Sequence, residues 1–591
     1  MRFYLFLLVA VELMAAEPNR IFYTRFGPAK ADLFISKADG SDERPLLPST
    51  GLDYNPSWSP DGQWIAFTSE RNGSADLYRV KPDGTALERL TGNPAYEDQA
   101  AFSPDSQQIV FVTTRANGHA NLWILDLRTR KAKPLTSGMG GDFRPSWSPD
   151  GKWIAFSSDR GSTLPMGKGR WEHLQIADVY LIHPDGSGLK RLTEHGNFCG
   201  SPKWTRDSLR IVAYCMSAEE TLTYRAPAAQ GETRLVSVDI ASGKAEDVPA
   251  GPGIKFAPNV LPSGEIAYLR KEGLNCGIFY GNGRSGPKGI DPLSASWSPG
   301  GERVVYLRSS PRFSLSAPLW SRNPKYELRV APFALPAFDA LGEHYVGSIA
   351  TALRVLDTSG NPPRTVYQPE GRNIFGNSWS PRGDSILFGI GAFNAVLFKG
   401  DFSNGRVDGG AQVAMIQADG SGFHEVTSGA NNNGFPSFAP DGKRFVYRTA
   451  GPEGQGLRIM DLETKKITKL TTEYDNFPLW SPRGDLIAFV RQIQGDYEIF
   501  TIHPDGMGTK RLTFSPGNDS HGAWSPDGEW LLFSSTRMGF KDEAIYTGAP
   551  QPYGELFVMR YDGTHVEQLT DNQWEDAGPA WQPVLKSAAK H

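Results

Sequence analysis

Trp58-Ser59-Pro60-Asp61-Gly62, followed after Gln63 by the apolar run Trp64-Ile65-Ala66-Phe67, is the stretch whose reading decides the fold. Pro60 fixes φ, Asp61 and Ser59 offer side-chain acceptors, and Gly62 tolerates positive φ, so the phrase writes a tight turn between two strands. It returns at Trp147 and Trp524, and in weaker form at Phe102, Trp204, Trp297, Trp379, Phe438, Trp480 and Trp581. Two eroded copies lie near Pro262 and His344. Trp58 and Phe102 are 44 residues apart, Phe102 and Trp147 are 45, and Trp480 and Trp524 are 44. That is the period of four-stranded propeller blades.

One unit shows how a blade is written. Asn55 to Trp58 is a short strand A, Trp64 to Ser69 is strand B, Arg71 to Ser74 a loop, Asp76 to Val80 strand C, Pro82-Asp83-Gly84 a turn, and Leu87 to Thr91 the outer strand D. The anchors predict an all-β chain of tandem β-propellers, about twelve four-stranded blades in two rings of about six. The expected division is a leader at 1–16, a first propeller at 17–310, a second at 311–585 and a tail at 586–591. Strands at Ile21 to Arg25, Ala31 to Ser36 and Arg44 to Leu47 read as B, C and D of one blade, and Gly578 to Trp581 as a solitary strand A. Pairing them removes two open sheet edges, so the two termini are expected to share one blade.

Composition narrows the function. Of 591 residues, 61 are Lys or Arg and 65 are Asp or Glu, giving a net charge of -4. No basic field is present to hold a phosphate backbone, so nucleic acid is not an expected partner. Met1-Arg2, an apolar stretch from Phe3 to Ala10 and Met14-Ala15-Ala16 read as an export leader, too short and too interrupted by Glu12 for a stable membrane insertion. Periplasmic or secreted localisation follows as the expectation. The three cysteines are Cys199, Cys215 and Cys276. If Thr205 to Ser208 turn a hairpin, Cys199 and Cys215 come close to facing each other; a bridge and a pair of small buried hydrophobes are both open.

The W-S-P-D-G hairpins, the Asp-Leu-Tyr pattern of strand C, the Pro-Asp-Gly turns at Pro82, Pro184 and Pro504, and the Arg-Leu-Thr ends at Arg191 and Arg511 together resemble the PD40, or TolB-like, WD40-like propeller repeat family. The resemblance runs over nearly the whole chain after the leader. It implies a propeller fold and, through exported members, an extracytoplasmic scaffold that binds proteins; it implies no activity. TolB-like proteins carry an α/β domain ahead of the propeller, whereas blade strands here are expected almost directly after the leader. Propellers of the prolyl oligopeptidase class also resemble the repeat, but they accompany a hydrolase domain, and no G-x-S-x-G elbow is found.

Asp53 with Arg71, Asp98 with Arg115 and Asp142 with Arg160 occupy recurring positions and are expected to pair as blade staples. Irregular insertions are more informative, because a blade does not need them. One spans 161–177 with Trp171, Glu172 and His173; another spans 538–554 with Lys541, Asp542, Glu543 and Tyr553, with Glu555 just beyond. The D-to-A connections open on the same face and bring Trp574, Glu575 and Asp576 there. These eleven residues are the candidate ligand-binding set at a channel mouth, suited to a peptide or a sugar; the alternative is that the loops cover a ring or pack the two rings together. No residue is assigned a catalytic role. The histidines lack zinc spacing, and Asp542, Glu543 and Asp576 lack an EF-hand pattern, so no metal or cofactor is assigned. The expected function is a non-catalytic, exported scaffold for an envelope protein or peptide. The alternative is a carbohydrate-active enzyme, a lyase or hydrolase, or a glycan-binding propeller, using carboxylates at the channel mouth.

Overall fold

Local chemistry repeats from blade to blade in the computed structural model. It describes residues 19–28, 30–48, 51–162, 174–194, 196–225, 229–273, 275–291, 293–310, 320–349, 352–359, 361–391, 410–546 and 553–583. In the A-to-B turn, the Ser59 hydroxyl accepts from the Trp64 amide at 2.9 Å, and Gly62, at φ 72°, donates to the Ser59 carbonyl at 2.9 Å. Ser148 and Ser525 do the same for the Trp153 and Trp530 amides. The threonine that ends strand D is explained as well. Thr91 accepts from the Leu77 amide, Thr193 from Val179 and Thr513 from Ile499, so each tethers the outer edge of a sheet to strand C.

Eleven sheets have four strands and one has three. Strand A of each packs on the neighbouring sheet, and the packing closes two circles of six. The first ring has inner strands Asp53–Trp58, Glu97–Phe102, Asp142–Trp147, Asn197–Trp204, Lys255–Val260 and Ala295–Trp297; the second has Ala334–Phe338, Asn373–Trp379, Asn432–Phe438, Asp475–Trp480, Asp519–Trp524 and Glu575–Trp581. The eroded repeats near Pro262 and His344 are full hairpins, Lys255–Val260 with Ile266–Glu272 and Ala334–Phe338 with His344–Ile349. Apart from the short helix Ala218–Thr223, capped by Ser217 and Glu220, and one 3₁₀ turn at Ala544–Tyr546, the described residues form strands and connections.

The termini share a blade, as expected: Asn19–Phe26 runs antiparallel to Glu575–Trp581, with Ile21 opposite Trp581. The expectation that the three N-terminal strands lie in one blade is corrected. Lys30–Lys37 and Arg44–Pro45 leave for the first ring, where they follow Ala295–Trp297 and Arg303–Ser310 in a four-stranded sheet. Gly27 and Pro28, which cannot continue a ladder regularly, stand where the chain passes from one ring to the other. The third strand of the terminal blade is Tyr326–Val330, parallel to Asn19–Phe26. Two consecutive N-terminal segments therefore close both rings.

The staples are confirmed for Asp53 with Arg71 at 2.7 Å and for Asp142 with Arg160, and recur as Asp475 with Arg491 at 2.7 Å and Asp519 with Arg537 at 2.9 Å. Asp98 departs from the pattern. Arg115 pairs with Glu97 instead, and Asp98 turns inward to accept from Asn55 at 2.7 Å, from Thr68 at 2.5 Å and from Tyr96. Cys199 and Cys215 face each other across Asn197–Trp204 and Arg210–Ser217 and are joined in a disulfide.

Candidate functional site

Both channels are shaped by one recurring backbone feature. In eleven of the twelve inner strands the residue three before the strand's last residue has positive φ: Asn55, Gln99, Arg144, Ser201 and Ala257 in the first ring, and Leu335, Gly376, Phe435, Phe477, His521 and Gly578 in the second, all between 46° and 59°. The ladder register shifts there, as in a β-bulge, which re-aims a side chain. These positions collar the channels. The left-handed region is unfavourable for residues with a Cβ, so its retention at Arg144, Phe435 and Phe477 is held by the surrounding sheets.

In the first ring the collar is polar, and a loop of the second ring fills it. Residues 538–546 leave the strand Trp530–Ser535 and enter the channel. Arg144 binds Asp542 through two nitrogens, Nε to Oδ1 at 2.7 Å, and lies 3.9 Å over the Tyr546 ring. Glu543 accepts from Ser157 Oγ, Ser201 Oγ and Tyr214 OH, each at 2.7 Å, and from the Ser201 amide. Gln99 donates to the Lys541 carbonyl at 3.1 Å; Gln175 donates to the Asp542 carbonyl at 3.1 Å and accepts from the Ala544 amide at 2.6 Å. Phe540, Ile545 and Tyr546 join the apolar core of the first ring.

The sequence-chosen residues are brought together here, but inside the contact between rings. Lys541, Asp542, Glu543, Tyr553, Glu555 and Asp576 have no exposed surface, and Trp574 and Glu575 have almost none. Lys541 donates to Glu555, to Asp571 at 2.7 Å and to the Asn572 carbonyl at 3.0 Å. Asp576 is bound in a fork by Arg25 at 2.7 and 3.0 Å. Trp574 donates to Glu70 at 3.2 Å and meets Tyr54 edge-on, and Tyr553 packs on Phe540. Trp171, Glu172 and His173 lie outside the described residues. Burial pushes the Asp542 carboxyl up to about 7 against the pull of Arg144, and pushes Glu555 up to about 7 although Lys541 holds it down. Burial also raises Asp571, but Lys541 and Arg322 outweigh it and leave that carboxyl below its ordinary value. The arrangement neutralises charge between two bodies and leaves these carboxylates no open face.

The second channel is different. A cavity of about 520 Å³ runs along its axis, from Leu335, Phe435, Phe477 and His521 at the collar to Pro381, Pro440, Pro482 and Pro526 at the hairpin turns. Phe375, Phe435, Phe477 and His521, from four consecutive blades, stand ring against ring with centroids 5.1, 4.4 and 4.5 Å apart. Among the described residues the lining includes no Asp, Glu, Lys or Arg. Burial drives His521 down to about 3, so it is neutral near pH 7. Among the described residues the lining is thus an uncharged, mainly apolar tube with serine hydroxyls, the Asn377 side-chain amide and one imidazole. Sequence reading did not identify this collar; the signal was the fixed offset of three before the last residue of each inner strand.

Comparison with known families supports the propeller fold. The family described as the TolB beta propeller domain (PD40) matches residues 19–115, 98–237 and 404–549. A protein TolB homolog of Chlorobium luteolum is 32% identical over 207 residues, which is 33% of this chain and 44% of that protein. An uncharacterized protein of Agrobacterium fabrum is 33% identical over 244 residues, 40% of this chain and 71% of that protein. The crystal structure of TolB from Acinetobacter baumannii superposes with a TM-score of 0.35 at 18% identity, over 60% of this chain and 80% of that one. The chain thus spans less than half the length of the Chlorobium relative.

Proposed function

Given that the chain belongs to the TolB β-propeller family, we propose that it is a non-catalytic scaffold, exported to the cell envelope, that receives a protein or peptide segment in the channel of its second ring. The observation that carries the reading is the uncharged cavity of about 520 Å³ at the centre of that ring. A concave, preformed, mostly apolar tube with a few polar groups has the chemistry of a recognition site, and general acid–base catalysis would ask for a titrating group near neutral pH, which neutral His521 does not supply. The first ring offers a precedent inside the same molecule, since its channel already holds a polypeptide loop. Export rests on the leader-like composition of residues 1–16. Among the described residues no helix is long and apolar enough to cross a membrane.

The carbohydrate reading leaned on carboxylates at a channel mouth. Asp542, Glu555 and Asp576 are buried and engaged with Arg144, Lys541 and Arg25, which leaves that reading without a supporting observation. The scaffold reading is tested by panning a peptide-display library on the mature chain and on Ala337→Arg, which sets a cation in the cavity wall. Enrichment of apolar sequences by the wild type and its loss in the variant is the expected result. A library that yields no binder, or binders indifferent to Ala337→Arg, removes the second channel as the receiving site.

A further inference from the structure

The loop inside the first ring is held as a ligand is held. Its side chains are recognised singly: Asp542 by the two-nitrogen grip of Arg144, Glu543 by the hydroxyls of Ser157, Ser201 and Tyr214. Its main chain is read as well, by the Gln99 and Gln175 amides at three successive points, from the Lys541 carbonyl to the Ala544 amide. Contacts of that kind hold a main chain irrespective of side chain, while the charged and hydroxyl groups select sequence. Space is reserved for the carboxylate too. A Cβ at Gly200 would stand 2.4 Å from Glu543 Oε1, so the strand Asn197–Trp204 is shaped around this group. The occupant and the site belong to different rings, so packing of the first ring alone does not require an acidic pair at its centre.

We infer that the channel of the first ring is a second peptide-recognition site, selective for an Asp-Glu pair or its close equivalent, which the chain keeps closed with its own Asp542 and Glu543. Tethering presents the loop at an effective concentration on the order of millimolar, so a free segment at micromolar concentration cannot displace it. Occupancy from outside and departure of the loop are one event, and a partner gains the site only when the loop is weakened or drawn away.

The test uses the full-length chain and a fluorescent peptide copying residues 539–546, Gly-Phe-Lys-Asp-Glu-Ala-Ile-Tyr. Fluorescence anisotropy is expected to show that Asp542→Ala/Glu543→Ala binds this probe at least about tenfold more tightly than the wild type. Binding should vanish when Arg144→Ala is added, or when the probe carries alanine at both acidic positions. A folded double variant that binds no better than the wild type overturns the proposal, as does binding that survives Arg144→Ala. Should the double variant fail to fold, Glu543→Gln keeps the shape and weakens the grip; wild-type affinity for the probe in that variant overturns the proposal equally. Apolar peptide binding at the second ring, measured on the same proteins, reports on the scaffold reading separately.

Discussion

Ile21 lies opposite Trp581 in an antiparallel ladder, so residues 560 positions apart in the sequence are neighbours in one sheet. Ile21 is fully buried among Tyr23, Leu328, Leu532 and Trp581, and its strand is the middle one of three. Ile21→Ala removes apolar contacts from the sheet that closes the second ring. A loss of about 2–5 kcal/mol in unfolding free energy is expected from the lost transfer and the cavity. Urea denaturation followed by tryptophan fluorescence measures it; a shift under about 0.5 kcal/mol, the level of an ordinary surface change, removes this strand as the clasp.

Arg25 and Asp576 tie the same clasp to the contact between rings. Arg25 is only 9% exposed, and Asp576 not at all. Asp576→Ala leaves the guanidinium buried with Glu70 at 3.9 Å as its remaining ion-pair partner, and should cost about 3–5 kcal/mol. Replacing both, as Arg25→Met/Asp576→Leu, should recover most of that, because two apolar side chains of similar volume need no solvation. Thermal unfolding of the two variants checks the order; a double variant worse than the single one contradicts it.

How much of this was legible follows from which signals are local. The turn phrase is local, so the blades, including the eroded ones at Pro262 and His344, could be counted from sequence, and the meeting of Ile21 with Trp581 followed from the need to pair two loose edges. The parting of Lys30–Lys37 from Asn19–Phe26 was not legible, because either strand satisfies the alternation of strand B or C and only the competition between two rings decides. Lys541, Asp542 and Glu543 looked like an exposed binding set, since a charged loop ordinarily faces water. Their partners, Asp571, Arg144 and Ser201, lie 30, 398 and 342 residues away, and no spacing rule connects them. The collar residues carried a local signal, the offset of three from the end of each inner strand, whose meaning depends on a bulge that composition does not announce.

The Cys199 to Cys215 bridge staples the two strands that hold Glu543, since Gly200 pairs with Tyr214 beside it. It closes a loop of 16 residues, and its removal by Cys199→Ser/Cys215→Ser should cost about 3 kcal/mol through the unfolded chain. Loosening of Ser201 and Tyr214 should also make the 541–544 segment exchange amide hydrogens faster. Hydrogen exchange read by mass spectrometry tests this, and unchanged protection of that peptide in the variant counts against the bridge as support for the cradle.

Glu555 gives the contact between rings a definite response to pH. Its carboxyl is raised by burial to about 7 in the folded chain, against about 4.3 in an unfolded one. A carboxyl with a raised folded value keeps its full contribution below the unfolded value and loses it as pH climbs from about 4 through about 7, because the folded state is the one that holds the proton. Stability from this group should therefore fall between pH 5 and pH 8. Glu555→Gln keeps a neutral group beside Lys541, leaves Asp571 to balance the ammonium, and should flatten that part of the profile. His521 works in the opposite sense: lowered to about 3, it contributes stability above about 6.5 that is lost on acidification, and it stays neutral over the same interval in the folded protein. Thermal midpoints of wild type, Glu555→Gln and His521→Phe across pH 5 to 8 separate the two. Parallel profiles for wild type and Glu555→Gln would show that this carboxyl stays ionised in the folded chain, and that Lys541 outweighs its burial.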